Sequence, residues 1–188
     1  MNRTRNIAIT VAFGAAGVVS ALAGSLWFAG HGGAVATAPH PVWTEVQWPF
    51  PIDEWGTGKA FQCRAADCGA EVSVYVRAKL GFCNCTTGVA DDSELERLSD
   101  FNLIGGRVAA LDIGRPIDVG WMKGRSRAYD ISDPAAGGKA ALSAAFNSDC
   151  DAIVATAVFD RRSKIEPQVI GFLNGKTVLQ WARVTLGL

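Results

Sequence analysis

From Ala70 to Lys79 apolar and polar positions alternate: Val72, Val74, Val76 and Ala78 on one side, Glu71, Ser73, Tyr75, Arg77 and Lys79 on the other. That period predicts a half-buried β-strand. Residues 152–159, AIVATAVF, are apolar on both faces and predict the central strand of a sheet covered twice. Three shorter strands are expected at 107–112, 117–122 and 126–131, with Lys123-Gly124 as the turn of a hairpin between the last two. Asp91 with Glu94 forms a capping-box pair that opens a short helix carrying Leu95 and Leu98. Asp133-Pro134 is a helix-start signal, but Gly137 and Gly138 move the expected start to Lys139. That helix would run to Asn147, with Leu142, Ala145 and Phe146 turned inward. Ser163 with Glu166 marks another helix, ending at Asn174-Gly175, and Lys176 to Leu186 a last one with Val178, Trp181, Ala182 and Thr185 on one side. Strands and helices mix without βαβ alternation, so the expected class is α+β with an antiparallel or mixed sheet.

Ahead of this domain, Ile7 to Phe28 runs without a charge behind Arg3 and Arg5. About 20 apolar residues suffice to cross a bilayer as a helix, so residues 7–28 are read as a membrane anchor with the lipid bilayer as partner. The arginines before the span place the N-terminus in the cytoplasm and the domain outside, in a bacterial periplasm. The competing expectation is a cleaved signal peptide, cut after Ala21-Leu22-Ala23 or Ala36-Thr37-Ala38, which leaves the domain soluble in the same compartment. Small residues recur every four positions within the span (Gly17, Ala21, Ser25; Ala16, Ser20, Gly24), a spacing that permits helix–helix self-association. The expected organisation is an anchor or signal segment at 1–30, a Gly/Ala/Pro then Trp/Pro-rich linker arm at 31–58, and the domain at 59–188.

Composition narrows the function classes. The first 38 residues hold two arginines and no acids, so the remaining 150 set 16 Lys+Arg against 18 Asp+Glu, which argues against a nucleic-acid partner. The only two histidines, His31 and His40, lie in the linker arm, so the domain lacks the side chain most used for acid–base catalysis and metal ligation. Gly56-Thr57-Gly58-Lys59 falls short of a phosphate loop: the spacing is incomplete and Ala60 stands where a hydroxyl residue is needed. No catalytic residue is singled out and no cofactor is expected.

Five cysteines remain. Cys63, Cys68, Cys83 and Cys85 flank the alternating strand, and in an oxidising compartment they are expected to form structural disulfides. Cys83 and Cys85 are two apart, so in an extended chain they point the same way and reach different partners. A nested arrangement, Cys63–Cys85 and Cys68–Cys83, is the simplest. The other closes Cys63–Cys68 and sends Cys83 or Cys85 to Cys150, the candidate free or third-partner thiol. As an alternative, Cys63, Cys68, Cys83 and Cys85 together could hold zinc or copper(I), or act as a thiol-redox centre. Arg115, Lys123, Arg125 and Arg127 crowd the predicted hairpin, and Arg161, Arg162 and Lys164 follow the central strand. With Trp43, Trp48 and Trp55 of the arm, the hairpin cations are candidates for docking a partner, an envelope protein among them. The functional expectation is a membrane-anchored, extracytoplasmic binding or accessory domain of the cell envelope, with thiol-redox or copper/zinc handling as the alternative.

Overall fold

The computed structural model describes residues 41–188 except Gly106 and residues 133–137. Among these residues eight strands form one antiparallel sheet: β1 (Trp43–Val46), β2 (Lys59–Cys63), β3 (Val72–Lys79), β4 (Arg107–Ala110), β5 (Arg115–Val119), β6 (Met122–Ser132), β7 (Lys139–Ser148) and β8 (Asp151–Asp160). Their order is β1-β2-β3-β8-β7-β6-β4, with β5 paired to the first half of β6 and β4 to its second half. Among the described residues there are five helices: α1 (Ala65–Cys68), α2 (Asp92–Leu98), α3 (Phe101–Ile104), α4 (Glu166–Leu173) and α5 (Lys176–Leu186). The class is α+β. β1 lies in the segment read as a linker arm, and pairs Trp43 with Cys63 and Val46 with Ala60.

The centre of the sheet is buried on both faces. On one, Val72, Val74, Val76, Leu142, Phe146, Ile153 and Phe159 meet Val169, Leu173, Val178 and Ala182 of α4 and α5. On the other, Ala145 and Val154 meet Leu95 and Leu98 of α2, while Tyr129, Ala141 and Val158 meet Phe101 and Ile104 of α3. The result is a sheet between two helical layers.

This double burial overturns the helix expected from Lys139. Those residues are strand β7, in register along its length with both β6 and β8. Alanine favours helix by only a few tenths of a kcal/mol per residue, and two flanking strands outweigh that preference. The small side chains let helices approach both sides of the strand. The hairpin turn also moves. Val119 pairs with Met122, so Gly120-Trp121 is the turn, with Gly120 at φ +61°. Two-residue hairpin loops favour positive φ, which glycine adopts freely. Gly124 instead sits inside β6, where a Cβ would lie 2.1 Å from the Ala145 carbonyl oxygen. Asp91 does cap α2, its Oδ1 accepting from the Glu94 N–H at 2.8 Å, but Ser163 does not cap α4, whose N-cap is Ile165.

The polar side of β3 is buried at its C-terminal end, while Ser73 and Tyr75 stay partly exposed. Arg77 and Lys79 are 2% and 4% exposed. Arg77 donates through Nε and Nη2 to the two oxygens of Asp100, both at 2.7 Å, and through Nη1 to Asp53 at 2.7 and 2.8 Å. Lys79 Nζ lies 2.9 Å from Asp100 Oδ1 and donates to the Leu98 carbonyl at 2.8 Å. Burial by itself weakens the charge of Arg77, but the hydrogen bonds to Asp100 and Asp53 outweigh it and raise its pKa. One guanidinium thus ties the arm, the sheet and the α2–α3 corner together.

The expected membrane anchor requires correction. Residues 7–28 lie outside the described residues, and among the described residues no helix is long and apolar enough to cross a membrane. The longest, α5, has 11 residues, against about 20 for a span. The transmembrane fold element, the lipid bilayer as partner, self-association through the span, the single-pass periplasmic location and the role of a membrane-anchored envelope domain all depended on that anchor, and none has support among the described residues. What the structure supports is an α+β domain with two disulfides.

Two outcomes test the buried network. Asp100→Ala leaves Arg77 and Lys79 buried with Asp53 as their remaining carboxylate, and is expected to cost roughly 3–5 kcal/mol in urea unfolding. Asp53 is held below the ordinary carboxylate range, chiefly by its hydrogen bond from Arg77. Its contribution is complete above about pH 4, the unfolded value, and disappears as the pH falls through the lower folded value. Asp53→Asn should therefore flatten the acid limb of a stability-versus-pH curve; an unchanged limb contradicts the assignment.

Candidate functional site

The cysteines do not form one cluster. Cys63 at the end of β2 bonds Cys68 at the end of α1, with Cα atoms 6.0 Å apart. Cys85 bonds Cys150, which precedes β8, with Cα atoms 4.2 Å apart. Cys83 is free and buried, its thiol 3.2 Å from the Asp149 carbonyl oxygen. Burial pushes the Cys83 thiol up, and the nearby Glu94 and Asp151 add to the shift. The nested pairing fails for a simple reason. β3 is eight residues long, so its ends are roughly 24 Å apart; Cys63 lies beside Val72 at one end and Cys83 follows the other.

Metal handling and thiol-redox chemistry by Cys63, Cys68, Cys83 and Cys85 are corrected on the same finding. Among the described residues no group of three or more His, Cys, Asp or Glu side chains could hold a metal ion. Three of the four sulfurs are committed to bonds, in two separate places.

The tryptophans of the arm pack within the domain. Trp43 stacks on Phe172 with ring centroids 4.4 Å apart. Trp48 meets Phe50 and Tyr75 edge-on, at 5.3 and 6.1 Å. Trp55 meets Phe82 at 4.6 Å, and Lys79 Nζ lies 5.2 Å from its ring centroid. All three remain partly exposed.

The hairpin cations divide by strand alternation. Arg125 and Arg127 project from β6 toward α2. Arg125 Nε bonds Asp92. Arg127 Nη1 reaches Glu96 at 2.7 Å and its Nε donates to the Asp112 carbonyl at 2.6 Å. The hydrogen bond from Arg125, with one from the Gly114 N–H, holds the Asp92 carboxyl below its ordinary range. Lys123 pairs with Asp118 at 3.0 Å in solvent.

Arg115 belongs to the other face. Its register partner is Ser126, whose Oγ donates to Glu166 Oε1 at 3.0 Å, and Arg115 itself lies 3.4 Å from Glu166 Oε2. There it joins Arg161 and Lys164. After β8 the chain turns at Asp160, which accepts from the Ser163 N–H at 2.9 Å and, through Oδ1, from the Arg162 N–H at 3.0 Å. This turn delivers Arg161 and Lys164 to the entrance of α4. Between them opens a cleft of about 430 Å³. Its floor is Ala128, Ala140, Leu142 and Phe159, the sheet surface at the entrance of α4; Arg115, Arg161 and Lys164 stand at its rim with Glu166. Asp130 fixes Arg161 and Glu166 fixes Arg115, whereas Lys164 makes no ion pair among the described residues. Basic residues were visible in the sequence, but not which of them share a face. The apolar floor was concealed because Ala140 and Leu142 fell in a predicted helix.

The sequence matches no family model and none of the curated proteins. What the described residues show is a doubly covered antiparallel-sheet domain with two disulfides and a cation-rimmed apolar cleft.

The disulfide assignment has a direct check. Native protein should leave Cys83 unlabelled by a thiol reagent, and denatured, unreduced protein should expose one thiol per chain. Cys85–Cys150 closes the longer loop, 65 residues apart against 5. On chain entropy its removal is expected to cost roughly 4 kcal/mol, against about 2 for Cys63–Cys68. Equal losses in urea unfolding of the two Cys→Ser pairs contradict that ranking.

Proposed function

We propose that this domain binds a small amphipathic anion, a carboxylate with a short apolar tail, in the cleft at the entrance of α4. The observation that carries the proposal is the meeting of Arg115 with Arg161 and Lys164, cations from two distant segments, around an apolar floor. Ligand pockets combine an apolar lining with a few placed polar groups, and this cleft has that composition and an adequate volume. The tail lies on Leu142 and Phe159. The head is drawn to Lys164, with Arg115 and Arg161 already positioned by Glu166 and Asp130. Arg115–Glu166 at 3.4 Å is a long, exposed pair, worth at most about 1 kcal/mol, so an incoming carboxylate can compete for the guanidinium.

Calorimetric titration of the full chain with octanoate tests this, with octanol as the uncharged control. Octanoate is expected to bind saturably and octanol distinctly more weakly. Lys164→Glu should weaken octanoate by about fivefold or more, because an exposed side chain that makes no ion pair among the described residues can be reversed without unfolding. Equal affinity for acid and alcohol, or an unaffected Lys164→Glu variant, sinks the proposal.

A further inference from the structure

A second cleft, of about 440 Å³, lies on the same face at the other end of the strands. Trp55 and Trp181 line it, with Glu54, Thr57, Thr185 and Ala78. Ala78 pairs with Ile153 near the start of β8, whereas Phe159 of the first cleft lies near the end of that strand, so the two sites are independent. The lining of the second holds one carboxylate and no cation, the opposite charge sense to the first.

Trp55 is held in place before any ligand arrives. Its backbone N–H donates to Asp53 Oδ1 at 2.9 Å, and Asp53 is itself gripped by the buried Arg77. Phe82 stacks edge-on against the indole, and the Lys79 ammonium, neutralised by Asp100, lies 5.2 Å from its centroid. The ring therefore already supports one positive charge through its quadrupole. Trp181 is fixed from below, packed against the core that α5 shares with the sheet. Glu54 is exposed and makes no ion pair among the described residues. Two indoles and a free carboxylate around one cleft have the composition of sites that take organic cations: the rings attract charge without demanding hydrogen bonds, and the carboxylate supplies the counter-charge.

We propose that the cleft between the Glu54–Thr57 loop and α5 binds a quaternary or methylated ammonium group, with Trp55 and Trp181 as walls and Glu54 as counter-ion. The test follows the six tryptophan indole N–H signals of the ¹⁵N-labelled full chain. Choline is titrated at constant ionic strength, and its uncharged isostere 3,3-dimethylbutanol serves as control. Trp55→Phe and Trp181→Phe assign the two signals. Choline is expected to shift both saturably, with Kd on the order of 1 mM, and the isostere to bind about tenfold more weakly. Glu54→Gln, a change at an exposed side chain that the fold does not need, should weaken choline by about fivefold. Absence of saturation, equal binding of the uncharged isostere, saturable binding of glucose in place of choline, or an unaffected Glu54→Gln variant would each overturn the proposal.

Discussion

A pair of neighbouring strands with apolar residues on both sides has to be covered twice, and most of this domain follows from meeting that demand. β7 and β8 are buried almost end to end. One face takes α4 and α5, which follow β8 after a short turn; the other takes α2 and α3, inserted between β3 and β4. The arm, through Trp48, Phe50 and Asp53, and the α2–α3 corner, through Asp100, close over the polar side of β3, burying Arg77 and Lys79 while Ser73 and Tyr75 stay partly exposed. Arg77 and Lys79 then require carboxylates, and Asp53 and Asp100 supply them from either side of the strand in sequence. Buried ion pairs contribute little net stability over apolar packing, yet breaking one is costly. Their effect here is positional: Asp53 sets the loop bearing Trp55, and Asp100 sets the junction of α2 with α3.

The disulfides follow the same geometry. A straight β3 separates the cysteines into two groups, one at each end, and each group closes on its nearest partner. The free thiol of Cys83 is left buried, with acids nearby that oppose its ionisation. Such an environment makes it a packing group rather than a nucleophile.

Positive charge is likewise sorted by the pleat. Alternate residues of β6 point to opposite layers, so Arg125 and Arg127 are spent in binding α2 to the sheet. Arg115, aligned with Ser126, turns to the α4 side and meets the cations that follow β8. What reads as one basic cluster along the chain becomes a structural set and a solvent-facing set. The two proposed sites occupy opposite ends of one face with opposite charge sense. Each lies where a helix covers the sheet incompletely.

The α+β class, the half-apolar strand expected at 70–79, the central strand expected at 152–159 and the two last helices were legible in the chain alone, because hydrophobic periodicity is a local signal; the cap expected at Ser163 was not formed. The contents of β7 were not. KAALSAAFNS has the residues of a helix, and only strands on both sides decide otherwise. The tight turn at Gly120 was missed because Gly124, four residues on, offered a second glycine whose actual role is close approach to β7. The separation of the cysteine pairs could have been inferred from the length of the predicted strand. The partners of Arg77 could not, since Asp53 and Asp100 lie 24 and 23 residues away and nothing local marks them. Sequence specified which faces must be hidden; tertiary packing alone chose what hides them, because burial is non-directional while ion pairs and clefts depend on which distant segments arrive together.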